Sequence, residues 1–127
     1  QEHTDYDDML SEIMAFFEKR IAQLIHLGVK DIIVDPRFGF AKTTDQNYEL
    51  LAKMYYFKEL GFPILHGISR KSMIYKLLDT TPEEALNGTT ALNVLGLING
   101  ANILRVHDVK EAVEAIKIFE KYNYFHP

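Results

Sequence analysis

Cysteine is absent from the 127 residues of this chain, and no apolar run approaches the length of a membrane-spanning helix. The absence of cysteine excludes disulfides, thiolate nucleophiles and cysteine-ligated zinc, and it fits a reducing compartment. A helix needs roughly 18 consecutive apolar residues to cross a bilayer. We therefore expect a cytoplasmic protein that does not enter a membrane.

Positive charge is also scarce, because 14 Lys and Arg face 18 Asp and Glu, which gives a formal net charge of -4. Proteins that bind nucleic acid or anionic membranes through their overall charge have a basic excess, so we expect neither partner. The length and the hydrophobic fraction of 47% are typical of one globular domain. The first residue is Gln1 rather than Met, so we expect a piece of a longer protein.

Apolar residues recur at helical spacing over residues 6–27, and Gly28 supplies a stop for this helix. A β-branched run closed by proline follows at residues 31–36, which is typical of a parallel strand buried on both faces. The same order of helix and buried strand recurs twice more. The pattern predicts further strands at residues 63–66 and 101–106, and helices over residues 45–60, 71–78, from 82 onward and from 108 to 122.

Strands that alternate with helices, without any hairpin signal, predict an α/β fold with parallel strands covered by helices. Three strands leave two sheet edges open and, in a barrel, the whole inner face uncovered. We therefore expect either that part of the sheet is missing or that these strands pair with a second chain.

Cationic side chains follow all three predicted strands, although the protein as a whole is acidic. Ligands of parallel α/β folds bind at the carboxyl ends of the strands, so this placement predicts a site for an anion such as phosphate or diphosphate. Backbone N–H groups at helix starts near Ser72 and Asp108 would assist. The alternative is an ordinary solvated rim. The cationic residues are Arg37, Lys42, Arg70, Lys71, Arg105 and His107.

Asp35 ends the first predicted strand, where its two oxygens could hold a flat ligand with adjacent N–H donors. The alternative is a structural acid paired with Arg37 or with a neighbouring turn. Phe38 and Phe40 are either stacking walls for such a ligand or loop-anchoring core residues. His66 lies inside the second strand, and we expect a hydrogen-bonded core histidine. No metal-ligand spacing is present, and the glycines form no dinucleotide-binding or Walker pattern.

Taken in order, the motifs that follow the three strands resemble those of dihydropteroate synthase, a folate-pathway enzyme family. They are DPRFGFAK at residues 35–42, GISRKS at 67–72 and RVHD at 105–108, with Asn47 and Tyr48 on the helix between. The resemblance covers residues 6–122. It implies that residues 1–127 are the C-terminal half of a pterin-binding (β/α)₈ TIM barrel, a single incomplete domain. This half would hold the last three parallel strands with their helices, preceded by one helix.

The family condenses 6-hydroxymethyl-7,8-dihydropterin diphosphate with 4-aminobenzoate and releases diphosphate, with Mg²⁺ assisting. The resemblance therefore implies these small molecules as substrates and places the Mg²⁺ ligand in the missing N-terminal half. We expect the isolated chain to be inactive or nearly so, and to form a homodimer or strand-pairing oligomer. The alternative function is a non-catalytic half-barrel module that binds a pterin or an anion.

The resemblance also assigns roles to individual residues. The pterin contacts would be Asp35, Phe40, Gly67, Lys71 and Arg105, and the diphosphate would lie against Arg105 and His107. The aminobenzoate side would be formed by Pro36, Phe38, Arg70 and Ser72. The catalytic groups would be Lys71, Arg105 and His107, and none of these residues is assigned to a metal.

Three positions depart from the family pattern. Arg37 stands where the family usually has glycine, Ala41 where another glycine is common, and His66 where an apolar residue is usual. We expect Arg37 to crowd or recharge the aminobenzoate side.

Overall fold

Residues 8–39 and 42–127 are described by the computed structural model of this chain. Phe40 and Ala41 lie outside these residues. The elements in chain order are α1 (Asp8–His26), α2 (Thr44–Ala52), a 3₁₀-helix (Met54–Leu60), β1 (Leu65–His66), α3 (Ser72–Leu77), a second 3₁₀-helix (Pro82–Glu84), α4 (Leu86–Ile98), β2 (Ile103–Leu104) and α5 (Val109–Phe125).

The sheet is parallel and follows the order of the chain. β1 pairs with β2, so that Leu65 lies opposite Ile103, and Val34 forms a parallel bridge with Ile64 on the other side of β1. The predicted α/β class is therefore confirmed. The first predicted strand is reduced to this single bridge.

The prediction that the first strand is buried on both faces is wrong. Val34 and Ile64 are buried, whereas Ile33 is 55% exposed on the opposite face. Successive side chains of a strand point to opposite sides, and Ile64 packs with helical core residues such as Leu50 and Ile74. The described helices thus cover one face of the sheet, and the other face stays open at this strand.

The prediction of one continuous helix over residues 45–60 is also wrong, because α2 ends at Ala52 and a 3₁₀-helix follows. Side chains three residues apart lie above one another in a 3₁₀-helix. This arrangement turns Met54 and Phe57 toward the core, where both are fully buried. α2 itself begins at a capping box, in which the Thr43 hydroxyl and the Gln46 side chain each accept the other's backbone N–H.

The core lies between these helices and the packed face of the sheet. It combines side chains from α1, α2, the first 3₁₀-helix, β1 and its flanks, α3 and α4. Its largest fully buried members include Leu10, Met14, Phe38, Leu50, Met54, Phe57, Ile64, Ile68, Met73 and Ile74. Within the described ranges, none of the helices has the length and apolar character that crossing a bilayer requires.

Candidate functional site

A cleft of about 510 Å³ opens where the three parallel segments end. The loop after Val34, the turn that leads from β1 into α3, and the end of β2 all contribute to its wall. Its lining residues are Asp35, Arg37, Phe38, Gly39, Arg70, Lys71, Ser72, Tyr75, Pro82 and Arg105. The cleft therefore combines one carboxylate with four cationic side chains from all three strand ends.

Asp35 is held between two donors. Its Oδ1 accepts the backbone N–H of Arg37 at 2.8 Å, and its Oδ2 accepts Nη1 of Arg105 at 3.3 Å. The Arg105 side chain is 56% exposed, and exposed ion pairs contribute little to stability. Arg105 can therefore leave Asp35 at low cost when a ligand offers either group a better partner.

Gly67 allows Arg105 to reach Asp35. A Cβ atom at Gly67 would collide with the guanidinium of Arg105. The Arg105 side chain thus lies directly over the backbone of Gly67 at the end of β1, and this contact connects two of the residues assigned to the pterin.

Lys71 lies deeper in the site and donates from Nζ to the backbone oxygen of Phe38 at 2.8 Å. Burial lowers the pKa of Lys71, and the positive charge of Arg105 lowers it further, whereas Asp35 opposes the shift. The ammonium is thus a partly desolvated donor beside the carboxylate, in a position to bond a polar edge of a ligand.

Arg70 also borders the cleft, but its donors are used within the protein. Nε and Nη2 donate to the two oxygens of Asp108, each at 3.0 Å, and Nη1 donates to the backbone oxygens of Pro82 and Glu83. The hydrogen bonds from Arg70 lower the pKa of Asp108. The backbone N–H of Arg70 donates to the buried Thr89 hydroxyl at 3.0 Å. Arg70 therefore ties three segments together at the edge of the site.

His107 does not line the cleft and lies beside it. Its Nδ1 is 2.8 Å from the hydroxyl oxygen of Ser69, and its backbone N–H donates to the same oxygen at 3.3 Å. Ser69 is 7% exposed, so the ring is attached to a buried hydroxyl in the turn that follows β1.

Asn47 and Tyr48 of α2 hold the loops that form the site. The Asn47 side-chain oxygen accepts the backbone N–H of Gly39 at 2.6 Å, and its amide donates to the Thr43 backbone oxygen at 3.0 Å. The Tyr48 hydroxyl donates to the backbone oxygen of Met73 in α3 at 2.9 Å. These two side chains fix the first loop and α3 relative to each other.

Phe38 and Pro36 lie in different places relative to the cleft. Phe38 is 2% exposed and meets the His66 ring edge to face, with 5.2 Å between ring centroids, so its ring is part of the core although it borders the cleft. Pro36 is buried and lines a neighbouring cavity of about 230 Å³ beside Phe16 and Phe17 of α1. Phe40 lies outside the described residues.

The structure also brings to the cleft two residues that the sequence analysis did not single out, Tyr75 and Pro82. Tyr75 is three residues after Ser72 in α3, and residues at this spacing share one face of a helix. That spacing is the signal by which it could have been found. The position of Pro82 depends on how its 3₁₀-helix packs against Arg70, which has no local signal.

His66 behaves as predicted for a core histidine. It is fully buried and its Nε2–H donates to the backbone oxygen of Leu92 at 3.0 Å. Burial lowers its pKa to about 4. In the described part of the chain no group of three or more His, Cys, Asp or Glu side chains is arranged to hold a metal ion.

The model of the pterin binding enzyme family matches residues 1–107. The chain belongs to the pterin binding enzymes. Within that family it is 43% identical over 122 residues to dihydropteroate synthase from Escherichia coli, and 44% identical over 121 residues to the one from Synechocystis. The resemblance indicated by the three motifs is confirmed.

The aligned regions cover 94% and 93% of this chain, but 43% and 42% of the two relatives. The chain thus spans less than half the length of these curated relatives. Its backbone is similar to that of Yersinia pestis dihydropteroate synthase solved with a pterine-sulfa conjugate, with a TM-score of 0.90 and 40% identity. That match covers 94% of this chain and 48% of the other. The structure of 7,8-dihydropteroate synthase from Vibrio fischeri is also similar, with a TM-score of 0.89 and 38% identity. That match covers 100% of this chain and 48% of the Vibrio fischeri chain.

Proposed function

We propose that this chain is the C-terminal half of a dihydropteroate synthase, and that its three parallel segments are the last three strands of a (β/α)₈ barrel. The observation that supports this proposal best is the convergence of Asp35, Lys71 and Arg105 on one cleft at the strand ends. Barrel enzymes have their sites at that end of the strands, frequently with a phosphate site after the last two. Residues 1–127 would then form a single incomplete domain.

The pterin would lie between Asp35 and Lys71. The carboxylate accepts from the 2-amino and N3–H edge, and the Lys71 ammonium donates to the carbonyl and ring nitrogen. The weak pair between Asp35 and Arg105 opens to admit this edge. Gly67 leaves the space in which Arg105 moves, and Phe40 would complete the pocket.

The diphosphate would bind to Arg105 and His107. In the reaction the amine nitrogen of 4-aminobenzoate forms a bond to the exocyclic carbon of the pterin, the carbon–oxygen bond to diphosphate breaks, and the amine loses a proton. Cationic groups and N–H donors stabilise the negative charge that develops on the leaving group. No covalent intermediate with the protein is needed.

The aminobenzoate side would be bordered by Pro36, Phe38, Arg70 and Ser72. The guanidinium of Arg70 is bonded to Asp108 and to two carbonyl groups. We therefore propose that Arg70 shapes this border and does not offer its charge to the aminobenzoate. Arg37 is the additional cation next to this side of the cleft.

A magnesium site does not fit the described residues, since no group of three or more His, Cys, Asp or Glu side chains among them is arranged to hold a metal ion. Mg²⁺ therefore stays an expectation for a part of the protein outside this chain, and no step above depends on it. A cytoplasmic location and a homodimer or strand-pairing oligomer likewise remain proposals.

The first test is dihydropteroate formation by the purified 127-residue chain. We expect at most trace turnover, because the chain spans less than half of its relatives and the remaining contacts to both substrates are lacking. Turnover comparable to that of a whole relative would contradict the proposal that the site is divided.

The second test separates a retained half-site from an inert scaffold. The chain is titrated with a pterin and with inorganic diphosphate. Asp35→Ala should weaken the binding of the pterin, and Arg105→Ala should weaken the binding of diphosphate. Asp31→Ala and Arg20→Ala are matched controls, since both residues are exposed and lie outside the cleft. Binding of both ligands, weakened by these two variants and not by the controls, would support a retained half-site. Binding of neither ligand would contradict both this half-site and the alternative of a non-catalytic binding module.

A further inference from the structure

Ser69 is not itself assigned a contact to a substrate, but its hydroxyl makes two hydrogen bonds to His107, one of the two residues of the proposed diphosphate site. The backbone N–H of His107 donates to Oγ at 3.3 Å, and Nδ1 of the same residue lies 2.8 Å from Oγ. Ser69 and His107 are 38 residues apart in sequence, so the pair joins the turn after β1 to the chain after β2.

The proton balance at this hydroxyl decides the direction of the shorter bond. A serine hydroxyl has one proton to donate and can accept at its lone pairs. Since the His107 backbone N–H donates to Oγ, the hydroxyl proton is left to donate to Nδ1. In the opposite arrangement, with a proton on Nδ1, the hydroxyl proton would have no acceptor among the described residues, and Ser69 is too buried for water to supply one freely.

We propose that Ser69 is a positioning residue that holds the neutral His107 ring in the tautomer with its proton on Nε2. The hydrogen bond at one ring nitrogen of a histidine determines which nitrogen has the proton. Nε2–H then points away from the buried Ser69 hydroxyl, and because His107 is an exposed residue this N–H can serve as a donor for the diphosphate assigned to Arg105 and His107. This part of the inference rests on the proposed function, whereas the tautomer does not.

The tautomer is tested without any ligand by ¹⁵N NMR of the ring nitrogens of His107 at neutral pH. We expect the wild-type chain to show Nδ1 unprotonated and Nε2 protonated. Ser69→Ala should allow the Nδ1–H form to mix in, and Ser69→Thr, which keeps the hydroxyl, should restore the wild-type pattern. A protonated Nδ1 in the wild-type chain, or ring signals unchanged by Ser69→Ala, would overturn the inference. Ser69→Cys, similar in size but a weak donor, replaces Ser69→Ala if that variant does not fold.

The consequence for binding is tested by titration with inorganic diphosphate. The loss of one oriented hydrogen bond corresponds to about three- to tenfold in affinity, so Ser69→Ala should weaken binding by about that factor and by no more than His107→Ala. In the double variant Ser69→Ala/His107→Ala we expect no loss beyond that of His107→Ala, because Ser69 acts through the ring. Ser11→Ala on α1 is the matched serine control.

The two measurements distinguish the possible failures. If the wild-type chain does not bind diphosphate while the ring signals behave as expected, the proposed function and the ligand part of this inference fail together, and the positioning stands. If diphosphate binds but Ser69→Ala weakens it equally with and without His107, Ser69 does not act through His107 and the inference fails alone.

Discussion

Arg37 shows at the scale of one residue how this chain departs from its family. Its φ angle is 63°, in the left-handed region that costs a residue with a Cβ about 1–2 kcal/mol. The family resemblance puts glycine at this position, and glycine adopts the conformation without that cost. Arg70 has a similar φ of 55°, and there the backbone N–H donates to the Thr89 hydroxyl and the guanidinium donates to Asp108.

Arg37→Gly should raise the free energy of unfolding by about 0.5–1 kcal/mol, because the relief of the left-handed conformation exceeds the additional chain entropy that glycine loses on folding. Urea unfolding of both proteins measures the difference. Arg37→Ala is the control, since it removes the same charge and keeps the Cβ. An equal gain in Arg37→Ala would show that the effect comes from charge and not from backbone conformation.

His66 makes stability depend on pH. Burial lowers its pKa in the folded chain from 6.5 to about 4, with a smaller contribution from the charge of Lys71, while the Leu92 backbone oxygen and Asp35 oppose the shift. The unfolded chain therefore binds a proton between pH 6.5 and 4 that the folded chain does not. The stability contributed by neutral His66 is complete above pH 6.5, and about 3 kcal/mol is lost as the pH falls to 4.

His66→Leu should lose less stability than the wild-type chain between pH 7 and pH 4, because no buried imidazole remains to be protonated. The free energy of unfolding is measured at both pH values for each protein. The terminal and exposed His126 supplies the control: His126→Ala should keep the wild-type pH dependence. Identical pH dependence in His66→Leu and the wild-type chain would contradict this prediction.

At the scale of elements, α4 lies unusually close to β1. A Cβ atom at Gly96 would lie 2.5 Å from the His66 ring, closer than real Cβ contacts. Because His66 is fully buried and bonded to the backbone of Leu92 one turn earlier in α4, the ring has little room to move. Gly96 therefore sets the distance between the helix and the strand that leads into the site.

Gly96→Ala should lower the free energy of unfolding by about 1–3 kcal/mol, as overpacked core positions do. In a His66→Ala background the same substitution should cost much less, so the two changes should be strongly non-additive in a double-mutant cycle. Asn87→Ala, at an exposed position of α4, controls for the helix preference of alanine. Equal costs of Gly96→Ala in both backgrounds would show that the ring is not the obstacle.

At the scale of the whole molecule, apolar surface remains open on two sides. Ile33 is exposed on the uncovered face of the sheet, and Ile118, Tyr122 and Phe125 are exposed on α5. Large exposed apolar surfaces and open sheet edges favour association. This is the physical basis for the proposed homodimer or strand-pairing oligomer.

Light scattering of the purified chain should therefore give a mass of at least two chains. Ile33→Lys should shift the equilibrium toward the monomer, because it places a charge on the open face of the sheet. Ile25→Lys is the matched control, since Ile25 on α1 is 54% exposed and Ile33 is 55% exposed. The control variant should leave the association unchanged. A wild-type monomer would contradict the oligomer, and equal effects of both variants would move the interface away from the sheet.

The sequence by itself determined the order of helices and strands and the residues at the strand ends. Apolar periodicity, Gly28 and Pro36 are local signals, and the three motifs follow their strands directly. For the same reason the family could be recognised from short segments, each of which is complete within a few residues of the chain.

Only the tertiary structure decided what each of these residues contacts. Asp35 bonds to Arg105, 70 residues away, and both Arg70 to Asp108 and Ser69 to His107 span 38 residues. Such pairs depend on strand register and helix packing, which no local pattern encodes. The tertiary structure also decided the 3₁₀-helix after α2 and the exposure of Ile33. The burial of a side chain depends on which other elements cover its face of the sheet, and the local sequence does not specify these elements.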